Sequence, residues 1–222
     1  MTSIKDFFDR VYVVSMSARQ DRWDTLTEHL AGIEWPFAEP VRFRAVDARV
    51  CKPPTWWKTP QPISWGCWQS HVQILQDAMM DGLKSFLVLE DDVVFSDDFS
   101  KRVEPAMLAV PDDWDQLYLG GQLLQMQAHK PQRVNDHVIV PWNVNRTHAY
   151  GLRQKFYERC YEALVDYPSI VKLPYMHIDH WYGAMHQTGR SKVYAIWPWL
   201  AGQRAGLSDI SSIKNPDMFW LK

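Results

Sequence analysis

Apolar and polar positions along the 222-residue chain fall into short runs that alternate between strand and helix periods. The sharpest is Phe86–Phe95, where four apolar residues run into Glu90, Asp91 and Asp92 and the chain turns apolar again at once. A continuous apolar run of this length reads as a buried strand of a parallel sheet, with the acids at its carboxyl end. Val11–Val14 predicts a first strand, and Trp23, Leu26 and Leu30 recur at helical spacing after it, with Gly32 as the stop. Val41–Val46 alternates apolar and basic positions, as a second, edge strand would, and Asp47 follows directly. Cys51–Pro62, with four prolines and the Trp56-Trp57 pair, predicts a long loop. Val72, Leu75, Ala78 and Met79 make the stripe of a second helix, for which Ser70 and Gln73 read as a capping box that puts His71 in the first turn.

Further along, 97–110 predicts a helix broken at Pro105. Trp114–Leu119 predicts a strand ending in Gly120-Gly121, and 122–141 reads as irregular apart from a strand at 137–140. A helix follows Thr147–Leu152, with Phe156, Tyr157, Cys160, Tyr161 and Leu164 on its inner face. A short aromatic helix at 181–186 and a strand at 192–196 complete the pattern. Strand, polar turn and helix at the start, then strands alternating with helices, predict an α/β nucleotide-binding sheet in a single domain spanning 1–222. The chain divides at about residue 95 into a first, nucleotide-binding half (1–95) and a second half (96–222).

Composition changes this picture little. Hydrophobic residues make up 46% and charged residues 23%, and the formal net charge of -2 argues against a general polyanion binder. No apolar stretch approaches the ~20 residues that span a bilayer, and the first residues carry acids rather than an apolar signal core, so a cytoplasmic location is expected. Cys51, Cys67 and Cys160, odd in number and without metal-ligand spacing, read as reduced thiols. The 12 tryptophans are many, and tryptophan stacks on sugars and bases as well as filling cores.

The candidate chemistry lies at strand ends. Three adjacent carboxylates repel one another unless a cation neutralises them, and oxygen ligands suit Mg²⁺ or Mn²⁺ shared with substrate phosphates; a solvated acidic turn is the plain alternative. Arg19 and Arg22 stand at the start of the first helix, where they could meet phosphate oxygens or remain solvated. His177, Asp179 and His180 cluster, but no second pair at finger spacing and no H-E-x-x-H pattern supports zinc. Asp179 suits a general base on a hydroxyl, or a helix N-cap.

Taken in order, VYVVSMSARQDRW (11–23), FRAVDA (43–48), GCWQSH (66–71), FLVLEDDVVF (86–95), WDQLYLGG (114–121), THAYGL (147–152), HIDH (177–180) and PWLAGQRAGLSDI (198–210) resemble the bacterial lipooligosaccharide and collagen galactosyltransferases, a GT-A-fold family. The resemblance covers nearly all of 11–210, GCxxSH followed by LEDD is its specific part, and it implies that 1–95 is the nucleotide-sugar half and 96–222 the acceptor half. It implies inverting transfer of a hexose-type sugar from a nucleotide-sugar, a UDP-sugar, to an acceptor hydroxyl, with Mn²⁺ or Mg²⁺ held by Glu90 and Asp92. It implies a donor side of Ser15, Arg19, Arg22, Asp47, Gly66, Ser70, His71, Asp91, Gln203, Ser208 and Asp209. It implies Asp179 as the base, with Asp92, the first-choice metal ligand, as the other catalytic residue.

The chain departs from the family in its shortness and in the Pro-Pro-Thr-Trp-Trp-Lys of the 51–62 loop, which is expected to shape the acceptor side through Trp56, Trp57 and Lys58, with His180. The resemblance implies an acceptor that is a glycan, such as a lipooligosaccharide, or a protein. Two rivals remain. Arg42, Arg44, Arg49, Lys52 and Lys58 with Trp56 and Trp57 could hold a nucleic acid bearing a modified base. A catalytically silent nucleotide-sugar binder could keep the same fold.

Overall fold

An eight-stranded mixed sheet runs through the molecule in the order β2-β1-β3-β8-β5-β9-β7-β6. Its strands are β1 (Arg10–Ser15), β2 (Pro40–Arg44), β3 (Ser85–Glu90), β5 (Gln116–Leu123), β6 (Gln132–Arg133), β7 (Val138–Val140), β8 (Val144–Arg153) and β9 (Val193–Ile196). The computed structural model describes residues 4–55, 57, 63–165, 177–207 and 214–215. Helices α1 (Gln20–Ala31), α2 (Ile63–Met80), α3 (Phe99–Leu108), α4 (Gln154–Val165) and α5 (Ile178–Gln187) cover both faces. A short β4 (Val93–Phe95) pairs with β10 (Ala201–Gln203), and β11 (Gly206–Leu207) with β12 (Lys214–Asn215). Among the described residues no helix is long and apolar enough to cross a membrane.

The strand period sorts the core. Tyr12, Phe86, Val88, Tyr118 and Tyr150 point to one face, where α2, α4 and α5 bury Trp68, Ile74, Leu75, Phe156, Tyr157 and Trp181. Val11, Val13, Leu87, Leu89, Leu117 and Leu119 point to the other, under α1 and α3 with Leu26, Phe99, Val103 and Met107. With both faces covered, the central strands read as continuous apolar runs.

The structure corrects several expectations. β3 is parallel to β1 but antiparallel to β8, so the sheet is mixed rather than parallel. The apolar–acidic–apolar stretch is two strands, with the acids at the corner where the chain leaves β3 for β4. α2 starts at Ile63, so Ser70 lies mid-helix, donating to the Gly66 carbonyl (2.7 Å) and accepting from Val46 N (2.8 Å); there is no capping box. His71 is therefore nowhere near a helix N-terminus. α3 continues through Pro105, because Pro105 and Lys101, whose carbonyl loses its partner, both lie on the exposed side. Gly120 lies inside β5, where an added Cβ would meet the Ala201 carbonyl at 2.1 Å; the close approach is to β10. Asp179 is the second residue of α5, whose N-cap is His177.

Three histidines, His71, His148 and His186, are buried, and burial pushes their pKa values down to about 4, about 3 and about 3. Their folded pKa values lie below the unfolded one, so their contribution is complete above about pH 6.5 and is lost progressively as pH falls from there through the folded values. By pH 4.5 each costs roughly 2–3 kcal/mol on this linkage. The acid cluster described below is shifted the other way and opposes the trend, so the test is differential. Thermal melts of His186→Gln should fall off less steeply than the parent between pH 6.5 and 4.5; parallel curves would refute the assignment.

Candidate functional site

The carboxyl ends of β1 and β3, the start of β8 and the first turn of α5 enclose a cleft of about 380 Å³. Its lining includes Arg22, Ser70, His71, Glu90, Asp91, Asp92, Asn145, Arg146, Thr147, Asp179, His180 and Gln203. The fold places it at the point where β3 has a parallel neighbour on one side and an antiparallel one on the other. Ligands in open α/β sheets characteristically bind outside such strand ends.

Each acid of the corner has a different partner. Glu90 Oε1 accepts from Thr147 Oγ1 at 2.6 Å and lies 3.9 Å from His71 Nε2. Asp91 is held by Arg22 Nη1 at 3.2 Å and by the Ser15 hydroxyl. Asp92 lies 3.9 Å from the same guanidinium and accepts a long hydrogen bond from Gln203 Nε2 at 3.4 Å. The Asp92 carbonyl accepts from Arg204 N at 2.7 Å, tying the corner to the end of β10. Burial, then mutual repulsion with Asp92, pushes the Glu90 carboxyl up, although 24% of its side chain stays open to the cleft. Burial raises Asp91 and Asp92 too, opposed chiefly by Arg22. A corner that resists its own ionisation is one that a cation would stabilise.

Its oxygen donors fit a hard divalent ion. Among the described residues no set of three or more His, Cys, Asp or Glu side chains is gathered to hold one. Glu90 and Asp92 would therefore leave coordination positions to water and phosphate, the usual habit of Mg²⁺.

Asp179 approaches from α5. Its Oδ1 accepts from His180 N at 2.9 Å and its Oδ2 from Arg146 N at 3.2 Å. Arg146 has φ +82°, a left-handed conformation rare outside glycine, and the β5–β8 register slips here, from Gly120 opposite Ala149 to Gln122 opposite Asn145. The resulting bulge aims Thr147 at Glu90 and the Arg146 amide at Asp179. Sequence reasoning missed these two residues. THAYGL was noted as a motif, but nothing in it announced a bulge or a central strand.

The other expected residues scatter. Ser15 is buried at the end of β1, where Arg42 Nη2 donates to its hydroxyl at 3.2 Å. Arg19 precedes α1 and pairs with Asp21, outside the cleft lining. Asp47 is gripped by the Arg49 guanidinium, which holds its carboxyl low, and it too lies outside the lining. An added Cβ on Gly66 would meet the Val46 carbonyl at 2.4 Å, so this glycine lets α2 lie against the 46–48 backbone. Trp57, expected toward the acceptor, is 7% exposed and packs edge-on against Trp65 and Trp68 in the core. Trp56, Lys58, Ser208 and Asp209 lie outside the described residues. Three members of the basic-aromatic patch expected for a nucleic acid lie among the described residues with partners of their own. Arg42 binds Gln20 and Met16 and covers Trp23, Arg49 binds Asp47, and Trp57 is buried.

A family model described as glycosyltransferase family 25 (LPS biosynthesis protein) matches residues 8–159. Procollagen galactosyltransferase 1 of Danio rerio is 37% identical over 71 residues, covering 31% of this chain and 11% of that protein. The procollagen lysyl hydroxylase and glycosyltransferase of Acanthamoeba polyphaga mimivirus is 26% identical over 201 residues, or 78% of this chain and 22% of that one. A protein of Rattus norvegicus named probable inactive glycosyltransferase 25 family member 3 is 30% identical over 129 residues, 51% of this chain and 23% of its own length. The chain thus spans less than a quarter of the length of each of these relatives.

Proposed function

The chain belongs to glycosyltransferase family 25, and we propose that it transfers a hexose-type sugar from a UDP-sugar to an acceptor hydroxyl, with inversion and with the help of Mn²⁺ or Mg²⁺. The observation that carries this reading is the convergence of two carboxylate stations on one cleft: the Glu90–Asp92 corner after β3 and Asp179 on α5. In this reading the acceptor is a glycan or a protein. A relative named as inactive makes a silent nucleotide-sugar binder the rival. The presence of Asp179 in the same cleft as the acid corner speaks against it, since holding a nucleotide-sugar does not call for a second, separately oriented carboxylate.

When bound, the divalent ion supplies Lewis-acid stabilisation of the charge that develops on the departing diphosphate. Glu90 and Asp92 would hold it. Thr147 fixes the Glu90 carboxylate by donating to Oε1, and Gln203 does the same for Asp92. Asp179 receives the acceptor hydroxyl proton as the oxygen attacks the anomeric carbon, the two backbone amides having fixed its orientation beforehand. Arg22 offers a guanidinium to the leaving phosphates from the start of α1.

A panel of nucleotide-sugars tested by thermal shift, with and without Mn²⁺, examines this directly. One donor should raise the melting temperature strongly and only with the metal, through the stabilisation that binding confers on the native state. Metal-dependent hydrolysis of that donor separates an enzyme from a silent binder. No shift with any donor would defeat the proposal.

A further inference from the structure

We propose that Arg22 is the resident counter-ion of the acid corner, and that it exchanges partners on loading, so that divalent cation and diphosphate each bind well only in the presence of the other. This rests on the metal reading above and adds a prediction that reading does not make.

Arg22 is the third residue of α1, and its Nη1 reaches across to Asp91 Oδ1 at 3.2 Å and Asp92 Oδ2 at 3.9 Å. The pair is largely enclosed, Arg22 being 20% exposed in its side chain and Asp91 9%. Arg19, the other cation of this turn, pairs with Asp21. The corner is also more than a set of surface acids. The fully buried His71 aims its Nε2, with no hydrogen-bond partner among the described residues, toward Glu90 Oε1 from 3.9 Å, and its Nδ1 is engaged by the Tyr150 hydroxyl at 2.7 Å.

A guanidinium stays charged at all accessible pH. It therefore answers a competing cation by moving. A divalent ion settling on Glu90 and Asp92 takes over the negative charge that Arg22 neutralises and repels the guanidinium. Without a new anion within reach, that displacement opposes metal binding. A diphosphate arriving with the metal supplies the anion, and the planar fork of arginine matches phosphate oxygens. The converse holds for a diphosphate arriving alone: it meets three carboxylates and a guanidinium already committed to two of them. Each ligand thus removes the obstacle to the other, and linkage makes the coupling reciprocal.

The test is calorimetric titration of Mn²⁺ into the whole protein, with and without saturating UDP, for the parent and for Arg22→Met. In the parent, UDP should tighten Mn²⁺ binding about tenfold or more, within the usual range of coupling between sites. Arg22→Met keeps most of the side-chain length without the charge. It should bind Mn²⁺ alone several-fold more tightly than the parent and lose most of the coupling. Arg22→Lys, retaining charge, should keep Mn²⁺-alone binding weak, and it serves as the informative variant if Arg22→Met melts early. The inference falls if Arg22→Met binds Mn²⁺ alone no better than the parent, or if the parent shows no coupling to UDP. In either case Mn²⁺ binding by the parent would leave the metal reading standing. A parent that binds no Mn²⁺ with or without UDP overturns both.

Discussion

Asp92→Asn should fold as the parent does and lose transfer by on the order of 10³-fold, the scale of removing a group that stabilises transition-state charge. The substitution is nearly isosteric. Its side-chain oxygen can still accept from Gln203, and the backbone contacts of the corner, Asp92 O to Arg204 N and the β4–β10 pairing, do not depend on the side chain. Removing one of the mutually repelling carboxylates relieves Glu90, so the melting temperature should hold or rise. Initial rates with the donor selected by the thermal-shift panel, alongside melting curves, decide the matter. A variant that keeps its activity in the presence of a chelator would remove Asp92 from the site.

Asp179→Asn should separate binding from chemistry. Loss of a general base costs about 10²–10⁴-fold in rate, and because Asp179 is held by the His180 and Arg146 amides and acts on the corner only through a minor repulsion of Glu90, the affinity for UDP should stay near that of the parent. Asparagine can accept only one of the two amide hydrogens that the carboxylate now takes from His180 and Arg146, so a small local cost of about 1 kcal/mol is expected as well. Asp179→Ala controls for that rearrangement: both variants should show collapsed kcat with little change in donor KM. Unchanged transfer in either would move the base elsewhere.

The parts of this site that the sequence made legible were those whose local pattern and tertiary environment agree. Phe86–Leu89 is apolar because helices cover both faces of β3, and three acids could follow only where the strand leaves that cover. α1 and α4 present their expected stripes, with Leu26, Phe156, Tyr157, Cys160 and Leu164 buried. The start of α2 was misread because a local capping signal at Ser70 competes with packing that local pattern cannot express. Trp68 is buried in the core and Trp65 packs against it, while Gly66 admits the 46–48 backbone, all of which needs helix well before Ser70. β8 was missed for a related reason. Asn145, Arg146 and His148 interrupt any apolar run, and the alternation that would mark a half-buried strand is absent from one that lies mid-sheet. That strand joins the two stations, so the sequence displayed the acids but not the bulge that orients them. The tryptophan pair shows the opposite failure. Trp57 drew attention as a ligand surface, yet it completes a tryptophan cluster in the core.

The central claim is that the corner after β3 binds a divalent ion which in turn anchors a sugar diphosphate. Crystals soaked with Mn²⁺ and the preferred UDP-sugar test it in one measurement through the anomalous signal of manganese. The account predicts a single strong peak within coordination distance of Glu90 or Asp92, with diphosphate density beside it and the sugar directed toward Asp179. A peak elsewhere, or a donor seated in the cleft with no manganese beside those acids, would contradict it.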